Sequence, residues 1–335
     1  MREMRRWGLA ACAAVVGVGV SGCPKSPPPG SGGTGGGGGS SAFKIAVIPK
    51  GTAHSFWQTV KAGAEAAAAE ENAQIIWVGP AKENDITDQI NVLQNQANSK
   101  VDGIVLAATD SNALVQPVKE IMARGIPVVT IDSGLADKDA SLCYIATDNV
   151  EGGRQAAHAL ARLIGEKGKV GLLPFLKGAA SSDEREKGFL EAIRQYPGIQ
   201  VVSTLYTDSD VAKAKDQADN MLTAHPDIVG IFAANEPNGI GAAQALRQRG
   251  LAGKVKLVAY DCSEQELEAL KEGVIQATVV QDPFRMGYLG VKTVLKAIRK
   301  QDIGPKYVDS GMKVVTKENL NDPEVQKLIN PPIHR

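Results

Sequence analysis

The chain has 335 residues, with 37 Lys+Arg balanced by 37 Asp+Glu for a formal net charge of zero. That balance excludes a chain-wide basic field of the kind that binds nucleic acid. Four cysteines with no CxxC spacing exclude a dense disulfide framework, and the length allows two core-bearing domains.

At the start, Arg2, Arg5 and Arg6 precede an apolar run from Trp7 to Val20. The run is shorter than the roughly 20 residues a helix needs to cross hydrocarbon, so it reads as a processing signal. It ends in Val20-Ser21-Gly22-Cys23. That tetrad resembles the bacterial lipobox, which implies cleavage before Cys23 and a diacylglycerol on its thiol. Residues 1–22 are then a signal peptide, and residues 23–42 the lipidated cysteine and a linker. Residues 24–41, PKSPPPGSGGTGGGGGSS, have almost nothing to bury and predict a flexible tether. No strand precedes these glycines and no helical pattern follows directly, so a dinucleotide loop is rejected. Beyond residue 22 the mature chain keeps 34 basic and 36 acidic residues, which leaves membrane attachment to the lipid rather than to charge.

From Phe43 onward short apolar runs alternate with amphipathic stretches. The runs lie at 43–49, 75–78, 103–107, 127–131, 170–173, 201–205, 228–232, 255–260 and 274–280, and they read as buried parallel strands. Helical patterns fall near 55–71, 85–98, 112–124, 149–166, 184–195, 210–224, 237–249, 263–272 and 283–299. This βαβα order predicts an α/β fold of doubly wound parallel sheets with right-handed crossovers. Cys143 and Cys262 are far apart in sequence and read as two thiols rather than a bridge.

In such sheets ligands gather outside the carboxyl ends of the strands. The residues there are polar: Lys50 and His54 after the first run, Thr109-Asp110-Ser111 after the third, Asp132-Ser133 after the fourth, Asn235-Glu236 after the seventh, Asp261 after the eighth and Gln281 after the last. A single loop residue of this kind is usually a turn or a cap. Their joint placement points to a binding cleft.

Nine segments, taken in order, resemble the ribose-type periplasmic sugar-binding proteins of bacterial ABC transporters. They are HSFWQTVKAGAE (54–65), ATDS (108–111), GIPVVTIDS (125–133), ATDNVEGG (146–153), EREKGF (184–189), TAHPD (223–227), FAANE (232–236), LVAYD (257–261) and VVQDPFRMG (279–287). The resemblance spans roughly Lys44 to Lys317. It implies two Rossmann-like domains joined by three crossover segments near 147–149, 281–283 and 310–312, closing on a monosaccharide by a hinge. One lobe would hold 43–147 plus 282–311, and the other 148–281 plus 312–330.

The same resemblance assigns the site. Asp132 and Asp261 match the family's hydroxyl-binding aspartates, Arg185 its sugar-binding arginine, and Asn235 and Gln281 its amide contacts. Phe56 and Trp57 match the aromatic pair that stacks on the apolar face of a sugar ring, and His54 sits where a polar contact is common. These side chains suit a polyol, because carboxylates accept from adjacent hydroxyls, arginine donates two parallel bonds, and amides do both. Ser133 stands where ribose binders carry an arginine, and Lys50 in AVIPKG resembles the lysine of rhamnose- and autoinducer-2-type relatives. A deoxyhexose, pentose or other small polyol is therefore as plausible as ribose. The ordinary readings are a strand-end turn for Asp132, a solvated helix charge for Arg185, helix core for Phe56 and Trp57, and a helix cap for His54.

The expectation is thus a monomeric, exported, lipid-anchored solute-binding protein of the cell envelope that works with ABC permease subunits and needs no cofactor or metal. A sensor that presents its sugar-bound state to a signalling receptor would share the fold. An enzyme using Asp132 and Asp261 as an acid/base pair is the remaining rival, weakened because G-x-S-x-G, H-E-x-x-H and P-loop motifs are absent.

Overall fold

The computed structural model describes residues 42–331. The expected signal peptide, Cys23 and residues 24–41 lie outside them. The first sheet has the order β11 (Tyr307–Asp309), β5 (Tyr144–Ala146), β4 (Val128–Ile131), β3 (Gly103–Leu106), β1 (Lys44–Ile48), β2 (Gln74–Trp77). All its neighbours are parallel. The second sheet has the order β12 (Met312–Thr316), β10 (Ala277–Gln281), β9 (Lys256–Tyr260), β8 (Ile228–Ala233), β6 (Lys167–Leu173), β7 (Gly198–Thr204). It is parallel except for the antiparallel β10–β12 pair.

Helices α1 (Ser55–Glu71), α2 (Ile86–Asn98), α3 (Val115–Ala123), α4 (Asn149–Leu163), α5 (Ala180–Ile193), α6 (Val211–Ala224), α7 (Glu236–Gln248), α8 (Glu264–Glu272), α9 (Pro283–Ile298) and α10 (Pro323–Ile329) connect or follow the strands. Successive residues of a strand face opposite sides, so each sheet feeds two cores. In the first sheet Val47 packs with Val60 and Val291 of α1 and α9, while Ile48 packs with Leu93 and Val118 of α2 and α3. In the second, Leu172 joins Leu160 and Phe189 of α4 and α5, while Leu173 joins Met221, Leu246 and Leu270 of α6, α7 and α8. Both sheets are therefore doubly wound α/β domains, as the βαβα pattern predicts.

The two strand orders are the same arrangement used twice, with β1 corresponding to β6, β3 to β8, β4 to β9 and β5 to β10. The chain passes between the sheets three times, through α4, through α9, and directly from β11 to β12. Strands β5, β11 and β12 and helix α10 have no counterpart among the predicted elements. The first two are only three residues long, too short to show a period, and are held by pairing to strands distant in sequence.

In each domain one helix pair packs through glycine. A Cβ at Gly63 of α1 would lie 2.0 Å from the Phe284 carbonyl oxygen of α9, and one at Gly188 of α5 would lie 1.9 Å from that of Val150 in α4.

Candidate functional site

Lys50 and Phe175 occupy corresponding places, two residues beyond β1 and β6 in Ile48-Pro49-Lys50 and Leu173-Pro174-Phe175. Asp132 and Asp261 likewise each follow directly on corresponding strands, β4 and β9. Both aspartates have left-handed backbones, with φ of 56° and 81°, a conformation that Asp tolerates better than most residues. It turns the chain sharply at the strand end, and both side chains reach one cavity.

That cavity, about 20 Å³ in volume, is lined by Lys50, His54, Phe56, Trp57, Glu83, Asp132, Phe175, Arg185, Asn235, Glu236, Pro237, Asp261 and Gln281. The structure brings together all the expected site residues except Ser133, which is fully buried and accepts a 3.4 Å hydrogen bond from the Ser181 amide of the second domain. Most of the lining side chains, drawn from both domains, are buried, so a sugar ring reaches them only if the walls part.

Arg185 is buried and held on several sides. Its Nε donates to Asn149 Oδ1 at 2.8 Å and its Nη1 to the Ala234 carbonyl at 2.9 Å. Its guanidinium lies 3.7 Å from the centre of the Tyr260 ring, a cation–π contact. Tyr260 thus stands behind Arg185 and does not line the cavity. Arg185 Nη1 is 4.0 Å from Asp261 Oδ2.

The cation beside Asp132 is Lys50, whose Nζ lies 2.9 Å from Asp132 Oδ2. Arg185 stands at ion-pair distance from Asp261, not from Asp132. Lys50 Nζ also donates to Ser181 Oγ at 3.0 Å and sits 5.0 Å from the Phe175 ring centre and 5.6 Å from that of Trp57.

Gln281 Nε2 donates to Asp261 Oδ1 at 2.6 Å, and the Glu236 amide donates to Asp261 Oδ2 at 3.0 Å. Burial pushes the Asp261 carboxyl up to about 6, against the opposing pull of Arg185 and Gln281. Asn235 caps α7, accepting from the Asn238 amide at 3.2 Å, and donates to Ser209 Oγ at 2.7 Å.

Phe56 and Trp57 meet edge to face with centres 4.9 Å apart, and Phe175 supplies a third aromatic from the other domain. Trp57 Nε1 donates to Glu83 Oε1 at 2.6 Å. His54 makes no side-chain cap on α1; its Nδ1 lies 3.3 Å from the same Glu83 oxygen. Burial opposes charge on His54, but Glu83, Glu236 and Asp261 outweigh it and raise the imidazole above the usual histidine range. Burial also opposes charge on Glu83, yet Lys50, His54 and the Trp57 bond bring its carboxyl down to about 2.

Glu83, Phe175, Ser181 and Glu236 are the participants that sequence reasoning left without a role. The sequence marks Glu236 only as a strand-end polar residue. The Leu-Pro-Phe echo of Ile-Pro-Lys was the available signal for Phe175.

Buried acceptors dominate the unpaired polar atoms at the cavity: Glu83 Oε2 and Gln281 Oε1 make no hydrogen bond, and Asp132 Oδ2 has only its ion pair with Lys50. Cationic groups stand beside them. Such a lining satisfies a small neutral molecule rich in O–H donors and acceptors, flanked by aromatic faces.

The chain matches the family described as "Periplasmic binding protein domain" over residues 45–302. It is 30% identical to the D-ribose/D-allose-binding protein of Pseudomonas aeruginosa, across 84% of this chain and 89% of that one. Among solved structures it is similar to an ABC transporter solute-binding protein of Agrobacterium vitis with bound D-fucose (40% identity, TM-score 0.83, 85% and 99% of the two chains). It is likewise similar to a carbohydrate transporter solute-binding protein of Agrobacterium radiobacter in complex with D-arabinose (37% identity, TM-score 0.83, 87% and 99%). With its doubled α/β architecture and its polar, aromatic-lined cavity, the chain belongs to the periplasmic binding protein family.

Proposed function

We propose that this protein captures a monosaccharide or similar small polyol between its two domains and delivers it to the permease of a sugar ABC importer. The carrying observation is the pair of strand-end aspartates, one from each domain, facing one aromatic-lined cavity with unpaired acceptors. A ligand touching both would favour the closed arrangement by its differential affinity alone. The relatives bind ribose, allose, fucose and arabinose by name, which supports the sugar class. Lys50, which lines the cavity beside Asp132, suits a deoxyhexose, a pentose or another small polyol as well as ribose, with its Nζ donating to a ring or carbonyl oxygen. The closing bodies would be 43–147 plus 282–311 and 148–281 plus 312–330, acting as a monomer. The basic, apolar and small-residue order ending at Cys23 supports export and a lipid anchor in the cell envelope.

A thermal-shift screen against D-ribose, D-allose, D-arabinose, D-fucose, L-rhamnose and xylitol tests the binding reading. At least one is expected to raise the melting temperature, since a ligand selective for the folded state stabilises it. No shift with any of them at millimolar concentration rejects the reading. For the anchor, Cys23→Ala is expected to release the protein from the membrane fraction with sugar binding intact, and persistent attachment rejects Cys23 as the lipid site.

A further inference from the structure

We propose that Glu83 is a direct ligand contact that selects for a sugar bearing a hydroxyl opposite its Oε2 oxygen. This rests on the sugar-binding reading and goes beyond it by naming a specificity determinant. Glu83 lies between β2 and α2, outside every strand-end position that sequence reasoning singled out. Its side chain is 5% exposed and lines the cavity. The two carboxylate oxygens have different duties. Oε1 receives the Trp57 indole N–H and lies against His54. Oε2 is buried and makes no hydrogen bond.

A purely structural role, fixing the Trp57 ring, is complete with Oε1 alone. Leaving the second oxygen buried and unpaired is costly, and more so for a charged group. Lys50 and His54 keep this carboxylate ionised, and an ionised carboxylate only accepts. The ligand must therefore bring an O–H to it. A sugar lacking that hydroxyl leaves the oxygen unsatisfied on binding, and penalties of that kind discriminate more sharply than lost apolar contact.

The test begins with the tightest binder among D-ribose, D-allose, D-arabinose, D-fucose and L-rhamnose, and compares it with its monodeoxy analogues by titration calorimetry. In the wild-type protein, removal of one particular hydroxyl is expected to weaken binding about 10- to 100-fold. In Glu83→Ala that gap is expected to fall below about threefold, while the gaps for the other hydroxyls persist. Glu83→Gln retains an acceptor for the indole and is expected to shrink the same gap, which keeps the test open if the alanine variant fails to fold. Trp57→Phe removes the indole donor but leaves Glu83, and is expected to preserve the gap.

Unchanged gaps for every hydroxyl in both Glu83 variants overturn the proposal. So does loss of the same gap in Trp57→Phe, which would make Glu83 a positioning residue for Trp57. Failure of the wild-type protein to bind any of the sugars is a different outcome, which rejects the sugar reading itself.

Discussion

At the scale of single residues, Asp132 and Asp261 hold matching strand-end positions in unlike surroundings. Asp132 has Lys50 at 2.9 Å, whereas the nearest cation to Asp261 is Arg185 at 4.0 Å. Burial dominates at Asp261 and raises its carboxyl from 3.8 to about 6. A carboxyl raised in the folded state binds its proton more readily there than in the unfolded chain. Its stabilising contribution is complete below about pH 3.8 and is lost as pH rises through about 6. Asp261→Asn cannot titrate. The stability of this variant relative to wild type is therefore expected to rise between these pH values, by at most about 3 kcal/mol. Urea unfolding without sugar at a series of pH values measures the difference, and a flat difference across the window rejects the assignment. The positions of these aspartates were legible in sequence because strand ends are local features. Their partners were not, because whether Lys50 or Arg185 reaches Asp132 depends on how the loop after β1 and helix α5 meet in the folded chain.

At the scale of elements, long periodic segments were read nearly as they fold. Helix α1 spans 55–71 as predicted, and α6 and α8 fall within a residue of expectation. Helix α5 begins at Ala180, four residues earlier than its pattern suggests. The reason is chemical: Ser181 and Ser182 are helical and buried rather than loop residues. Ser182 Oγ accepts from the Phe175 and Leu176 amides at 3.3 and 3.1 Å, and Ser181 Oγ accepts from Lys50. Two small hydroxyls thus bind the turn after β6 and the opposite domain, a role without apolar periodicity. The start of α1 presents the reverse case. Its boundary was legible, but the usual polar cap was not supplied by His54. A carboxylate remote in sequence does that work, since Glu236 Oε1 accepts from the Ser55 amide and hydroxyl at 3.2 and 2.8 Å, and Glu236 Oε2 from the Phe56 amide at 2.9 Å.

At the scale of the whole molecule, that cap joins the two domains, because α1 packs on the first sheet and Glu236 opens α7 on the second. An anion at a helix N-terminus is favourable both through its hydrogen bonds and through the helix dipole. Further contacts join the same two bodies: Lys50 to Ser181, the Ser181 amide to Ser133, and the Ser111 amide to the Gly178 carbonyl at 2.8 Å. The buried lining of the cavity is reached by a sugar only after these contacts loosen, so each of them favours closure at the expense of entry. Glu236 contributes the largest polar set and should govern the balance. In Glu236→Ala the α1 amides lose their buried acceptor in the closed form, at a cost of about 1.5–3 kcal/mol. If the sugar-free protein is mainly open, its sugar dissociation constant should rise about 10- to 150-fold. Ser55→Ala removes only the hydroxyl contact and should raise it far less. Small-angle scattering at saturating sugar should show Glu236→Ala retaining a larger fraction of an expanded form than wild type. Equal affinity and equal scattering for Glu236→Ala and wild type would mean that the cap holds α1 in place without governing closure, and that the sugar's own contacts shut the cleft.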